Sequence, residues 1–142
     1  TSGELGQNST IKKSSPVQVG ALTNWSYIGG GNELSVSLKT DGTLWAWGRN
    51  LNGQLGRGNT TNYSSPMQIG SLTTWAKFSV GNNTVAAIKT DGTLWIWGAN
   101  NYGQLGLGNT TYYSYPKQVG ALTTWSSICA SQLSTYGIAL TS

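Results

Sequence analysis

The 142-residue sequence contains no histidine. Without imidazole it lacks the commonest general base and the commonest metal ligand near neutral pH, and neither a Ser-His-Asp nor a Cys-His arrangement can be built from it. Cysteine occurs once, at Cys129, which excludes an intrachain disulfide and says little about compartment. No basic residue lies beside Cys129 in sequence to stabilise a thiolate, so it reads as a small buried apolar residue rather than a nucleophile. Carboxylates number four: Glu4, Glu33, Asp41 and Asp91. A glycoside-hydrolase pair needs two of them held about 5–10 Å apart. Asp41 and Asp91 instead occupy equivalent places before a glycine and read as the first residues of hairpin turns. Asp-x-Asp calcium ladders are missing, so no metal or other cofactor is expected. No apolar run approaches the roughly 20 residues that span a bilayer as a helix.

Charge is scarce. Only 8% of residues are charged, where about a quarter is usual. The eight basic residues exceed the acidic ones to give a net charge of +4, but they are scattered, with Lys12 and Lys13 the one adjacent pair. Nucleic-acid surfaces carry clustered cations, so this pattern argues against nucleic acid and reads as solvated surface charge. What is plentiful is glycine, at 20, with seven Trp and seven Tyr beside a single Phe. Solubility must come from Ser, Thr, Asn and Gln.

The chain repeats itself with a period of 50. Leu5-Gly6 recurs as Leu55-Gly56 and Leu105-Gly106, Pro16 as Pro66 and Pro116, and Trp25 as Trp75 and Trp125. The run from Lys39 to Trp45 reappears from Lys89 to Trp95. Such agreement marks one supersecondary unit copied three times, the first and last copies cut short.

Within one unit, Trp25 to Ile28 suits a short strand, and Leu34-Ser35-Val36-Ser37-Leu38 alternates as a half-buried strand should. Asp41-Gly42 between strand-like runs is a strong hairpin signal, because both central residues tolerate positive φ, and Thr43 to Trp47 is its partner strand. The stretch Gly48 to Gly56 is too glycine-rich for a regular element, and Ser65 to Ile69 reads as a fourth strand with Pro66 at its start. The glycines of 103–108 fail the context of a phosphate-binding loop, because a strand rather than a helix follows. Four short antiparallel strands per 50 residues is the size of a propeller blade. Trp45, Trp47, Leu44 and Ile28, with Trp95, Trp97, Leu94 and Phe78, then need neighbouring blades to cover them.

The stretches TDGTLWAWGRNLNGQLGRGN and TDGTLWIWGANNYGQLGLGN resemble the repeat of the regulator of chromosome condensation family. The shared pattern is a hairpin into W-x-W-G, then N-x-x-G-Q-L-G. A partial copy, Gly3-Glu4-Leu5-Gly6-Gln7-Asn8, opens the chain and departs at Glu4, where the others have Gln54 and Gln104. The wording of the repeats is similar to bacterial and phage members. The resemblance implies an all-β fold of four-stranded antiparallel blades, about three repeats forming part of a seven-bladed ring. It divides the chain into the end of a blade at 1–20, blade repeats at 21–70 and 71–120, and the start of a further blade at 121–142. Closure is expected either from further residues of a longer protein or from several chains in one ring. The run 129–136 departs from the pattern of the earlier copies.

The residues free to carry recognition are those that break the repeat. Tyr102, Tyr112 and Tyr115 replace Asn52, Asn62 and Ser65, and with the repeated Tyr113 they make a tyrosine-rich stretch. Tyrosine joins an apolar face to a hydroxyl, which suits protein or glycan surfaces; equally, these rings could pack a blade edge against a neighbouring subunit. The expectation is a non-enzymatic structural or recognition module that binds protein or glycan, with low charge and Thr/Asn-rich turns pointing to an extracellular or virion surface. The alternatives are a guanine nucleotide exchange regulator, by analogy with the family's eukaryotic namesake, and a glycan-active enzyme. Exchange requires a small GTPase partner, and hydrolysis requires two convergent carboxylates.

Overall fold

The computed structural model describes residues 2–130 and 138–141. The divergent residues at 131–136 lie outside the described ones, while Cys129 and Ala130 lie within them.

Ten strands follow one another: β1 Trp25–Gly31, β2 Leu34–Lys39, β3 Leu44–Gly48, β4 Tyr63–Gln68, β5 Trp75–Val80, β6 Thr84–Lys89, β7 Leu94–Gly98, β8 Tyr113–Gln118, β9 Ser127–Ala130 and β10 Ile138–Thr141. They form two four-stranded sheets, in the orders β1-β2-β3-β4 and β5-β6-β7-β8, and a two-stranded sheet of β9 and β10. Every pairing is antiparallel. No described residue is helical, and no helix is long and apolar enough to cross a membrane.

The alternation of β2 and β6 buries both faces rather than one. Val36 is fully buried, and Ser37 on the opposite face is only 1% exposed, its hydroxyl donating to the Tyr27 carbonyl at 2.8 Å. In β6 the run Val85-Ala86-Ala87-Ile88 is buried throughout. Val85 and Ala87 join a core shared with Leu34, Val36 and Leu44 of the first sheet; Ala86 and Ile88 join a second core with Ile128 of β9. Successive side chains of a strand point to opposite faces, and in β6 each face meets another sheet. The half-buried expectation for β2 is corrected as well, but by other means: on its serine face Ser37 bonds within its own sheet, and Ser35 Oγ donates to Glu4 O of the N-terminal loop at 2.8 Å.

Three further expectations change. The hairpin after β2 has a three-residue loop. Gly42 N donates to Lys39 O and Lys39 N to Thr43 O, both at 3.0 Å, and Gly42 takes φ 77° while Asp41 keeps negative φ. This is a type I turn closed by a left-handed glycine, not a two-residue turn with paired positive φ. Asp41 is thus an interior loop residue instead of the turn's first.

Pro66 and Pro116 sit inside β4 and β8, not at their starts. The register jumps there: Ala46 pairs with Met67 but Gly48 with Tyr63, so Ser64, Ser65 and Pro66 face Trp47 alone. A proline in an edge strand at an interrupted register leaves no ladder donor missing.

Burial divides the expected core. Trp47, Trp97, Leu44, Leu94 and Phe78 are buried, while Ile28 is 63% exposed. Phe78, one period after Ile28, packs against Tyr27 of the preceding sheet with ring centroids 5.1 Å apart; Ile28 faces the corresponding direction and has no described sheet there. Cys129 is also exposed, which corrects its buried reading. It lies one period after Ser79, whose hydroxyl accepts from Ala130 N of β9 at 2.8 Å. Cys129 therefore points away from the second sheet.

Candidate inter-sheet recognition cleft

The turns of each unit are built by a few polar side chains. Asn50 is fully buried. Its Oδ1 accepts from Leu55 N at 2.9 Å, and its Nδ2 donates to the carbonyls of Asn59 and Thr61 at 3.0 and 2.9 Å. Asn100 repeats this with Leu105 N and Asn109 O at 2.9 and 2.8 Å. The loops so fixed reach the next sheet: Trp47 Nε1 donates to Glu4 O and Trp97 Nε1 to Gln54 O.

The carboxylates of the turns are occupied locally. Asp41 Oδ1 accepts from Thr43 N and Oγ1 at 2.9 and 2.6 Å, and Trp45 Nε1 donates to Thr43 Oγ1 at 2.8 Å. Asp91, Thr93 and Trp95 repeat the arrangement. These bonds, from the threonine hydroxyl first and its amide second, hold both carboxyls below the ordinary aspartate range. Among the described residues no group of three or more His, Cys, Asp or Glu could hold a metal ion.

The lysines are not all solvated, as the sequence suggested. Lys39 is 6% exposed, with Nζ 4.7 and 3.8 Å from the ring centroids of Trp25 and Trp45. Lys89 repeats this over Trp75 and Trp95 at 5.2 and 3.7 Å. Burial pushes the Lys89 ammonium below the ordinary lysine range, and the charge of Asp91 partly opposes the shift. Aromatic faces attract a cation and so lessen the cost of removing it from water.

Of the four tyrosines, Tyr102, Tyr112 and Tyr115 are 66%, 46% and 49% exposed. Tyr113 is half-buried, its hydroxyl accepting from Asn109 Nδ2 at 3.1 Å. The structure brings Tyr113 and Tyr115 together edge to face, centroids 6.3 Å apart, with Lys117 Nζ 5.4 and 5.0 Å from their rings. No ring contact joins Tyr102 or Tyr112 to them among the described residues.

Tyr115 borders a cleft of about 560 Å³ between the loops of the first sheet (Gly56 to Gly58 and Ile69 to Leu72) and the second sheet, together with Arg57, Leu72, Trp75, Lys89 and Trp95. That volume falls in the range of small-ligand sites. The interrupted register places Ser114, Tyr115 and Pro116 opposite Trp97 alone, and such irregularities re-aim side chains. Sequence reasoning found Tyr115 and missed Arg57. The signal was the same in both cases: Arg57 stands where the other copies have Gln7 and Leu107. Trp75, Trp95 and Lys89 are repeated residues of one sheet, and only the strand pairing reveals that they form one wall of the cleft.

The regulator of chromosome condensation (RCC1) repeat model matches residues 41–88 and 91–137. A second model of that repeat matches residues 26–54 and 75–104. A comparison with curated proteins finds no match. Among solved structures, the chain is similar to Prp20p from Saccharomyces cerevisiae, a structure described with that protein's binding properties to Gsp1p and histones. There it is 24% identical over 84% of this chain and 30% of that one, with a TM-score of 0.72. It is similar to human WBSCR16, 21% identical over 74% of this chain and 28% of that one, TM-score 0.68. Yeast RCC1 (Prp20) bound to Kap60 gives 24% identity over 78% of this chain and 27% of that one, TM-score 0.67. These likenesses show an all-β propeller fold, and the chain spans less than a third of each structure it matches.

Proposed function

This chain belongs to the regulator of chromosome condensation repeat family, and we propose that it is a non-enzymatic protein-interaction scaffold whose recognition surface is the tyrosine-rich stretch Tyr102 to Tyr115. The observation that carries this reading is the exposure of Tyr102, Tyr112 and Tyr115, the last of which borders the cleft. Each stands where the preceding repeat has a small polar residue. Fold maintenance is met without them, so their cost in exposed apolar area is explained by a partner that covers it. Similar architecture in yeast, where Prp20 is described with Kap60, Gsp1p and histones, supports a protein partner.

The division into units at 21–70 and 71–120 is part of the proposal, supported by the two sheets that fall within those spans. Low charge and Thr/Asn-rich turns support an extracellular or virion surface as its setting.

The test is site-specific photocrosslinking. A benzophenone amino acid is placed at Tyr102 and at Tyr112 in the full protein, in its native source. Crosslinks to one other polypeptide at both positions are expected. Crosslinks to none, together with saturable binding to a glycan array, would move the function to carbohydrate recognition.

A further inference from the structure

The two residues that break the repeat at the inter-sheet cleft differ from their counterparts in chemistry, not in their role in the fold. Arg57 Nη1 donates to Gln68 O. One period earlier Gln7 Nε2 donates to Gln18 O at 2.7 Å. The hydrogen bond that the fold needs is thus met by a neutral glutamine, and the guanidinium adds a charge, spare donors and a contact with the Tyr63 ring, 5.6 Å to its centroid. Tyr115 likewise stands where Ser15 and Ser65 stand in the other copies, and it adds a ring to the same cleft.

The remaining lining sets the electrostatics. Lys89 holds its ammonium over Trp75 and Trp95, and no carboxylate lines the cleft among the described residues. Neither Lys89 nor Arg57 forms an ion pair with a described carboxylate. The nearest acid in sequence, Asp91, gives its Oδ1 to Thr93. Arg57 Nε is buried with no acceptor; the indole N–H of Trp75 has none either, as at Trp25 and Trp125, so that feature belongs to the repeat and not to this cleft. The cleft therefore joins Arg57, with a buried unused donor, and Lys89, whose charge Asp91 offsets only in part, to a mainly apolar wall that includes Trp75, Trp95 and Tyr115.

Resting on the scaffold reading, we propose that this cleft binds an acidic segment of a partner protein, one carboxylate set between Arg57 and Lys89 with an adjacent aromatic or branched apolar side chain against Trp75, Trp95 and Tyr115. A carboxylate matches the guanidinium and supplies acceptors for its unused donors. Two cations in an apolar cleft fit one or two carboxylates, whereas a nucleic-acid backbone calls for a track of cations.

The probes come from peptide phage display on the immobilised full chain. Selected peptides are labelled with fluorescein and titrated by anisotropy against the parent, Arg57→Gln and Arg57→Gln/Tyr115→Ser. Both substitutions install residues that the chain already carries at equivalent positions, and thermal melts check that folding is kept. Expected are peptides with Asp or Glu beside an aromatic or branched apolar residue. Binding should weaken about tenfold when the peptide acid becomes its amide, and by a similar factor in the double variant. Arg57→Gln alone should weaken binding several-fold. Overturning results are no binder, binders without an acidic residue, or equal affinity in parent and double variant. An oligonucleotide or sialylated glycan whose binding the double variant abolishes while peptides fail also overturns it. Crosslinks at Tyr102 and Tyr112 that persist in the double variant leave the scaffold reading standing while the cleft proposal falls.

Discussion

The indole N–H of Trp97 donates to the backbone carbonyl of Gln54 at 2.9 Å, across 43 residues of chain. Trp47 does the same to Glu4 at 2.8 Å over the same separation. The second tryptophan of each W-x-W-G strand thus reads the glycine-rich loop of the preceding repeat. The loop must lie close for this. A Cβ on Gly56 would stand 2.8 Å from Trp97 Nε1, and one on Gly6 would stand 2.9 Å from Trp47 Nε1. Substitution of glutamate for glutamine at position 4 leaves the bond intact because the acceptor is main chain.

Trp97→Phe keeps most of the buried ring and removes the donor. It should destabilise the protein by about 1–3 kcal/mol, the cost of an unpaired buried carbonyl. Trp97→Ala adds a cavity and should cost about 3–5 kcal/mol. Urea unfolding of the full chain measures both, and equal stability of parent and Trp97→Phe would remove the bond from the account.

Gly92 and Gly120 both adopt positive φ, 76° and 59°, yet they should respond differently to alanine. A Cβ at Gly92 would fall 2.0 Å from Thr123 O, whereas one at Gly120 meets nothing within 4 Å. Gly120→Ala carries only the left-handed penalty of about 1–2 kcal/mol. Gly92→Ala must also displace main chain, and its melting temperature should fall well below that of Gly120→Ala.

Asn50→Asp preserves shape and removes the two amide donors. The Asn59 and Thr61 carbonyls would then face a carboxylate in a fully buried site. A loss of about 3 kcal/mol or more is expected. The introduced group should have a raised pKa when folded, so its penalty grows as pH rises through the unfolded aspartate value of about 3.9. Unfolding at pH 4 and pH 7 tests the sign, the variant being relatively better at the lower pH.

Asp41 and Asp91 have carboxyls held below the ordinary aspartate range by Thr43 and Thr93. A depressed folded pKa contributes stability that is fully present above the unfolded value, about 3.9, and is lost as pH falls through the folded one. Melting temperature should therefore decline below about pH 4. Thr93→Val should bring the Asp91 titration back toward the ordinary range in a carboxyl-detected NMR experiment. An unchanged titration midpoint would assign the shift to another cause.

The sequence by itself determined the repeating unit. The period of 50, the Asp-Gly hairpin and the W-x-W-G strand were legible because they rest on local chemistry. A left-handed glycine, a β-rich alternation and a turn-forming aspartate act within a few residues of themselves. Tyr115 was legible as a break in that pattern. The sequence also excluded histidine-based chemistry outright, since a missing side chain is missing in any fold.

Tertiary structure decided what lies between the units. Burial of Ser37 and exposure of Cys129 depend on what packs against each face, and alternation along a strand names two faces without saying what covers either. Lys39 and Lys89 looked like surface charges until strand pairing within each sheet set tryptophan rings beside them. The partnership of Arg57 with Tyr115 joins the β3–β4 loop of one sheet to an edge strand of the next. Such a pair is set by how two sheets pack, through non-local contacts that no single repeat encodes.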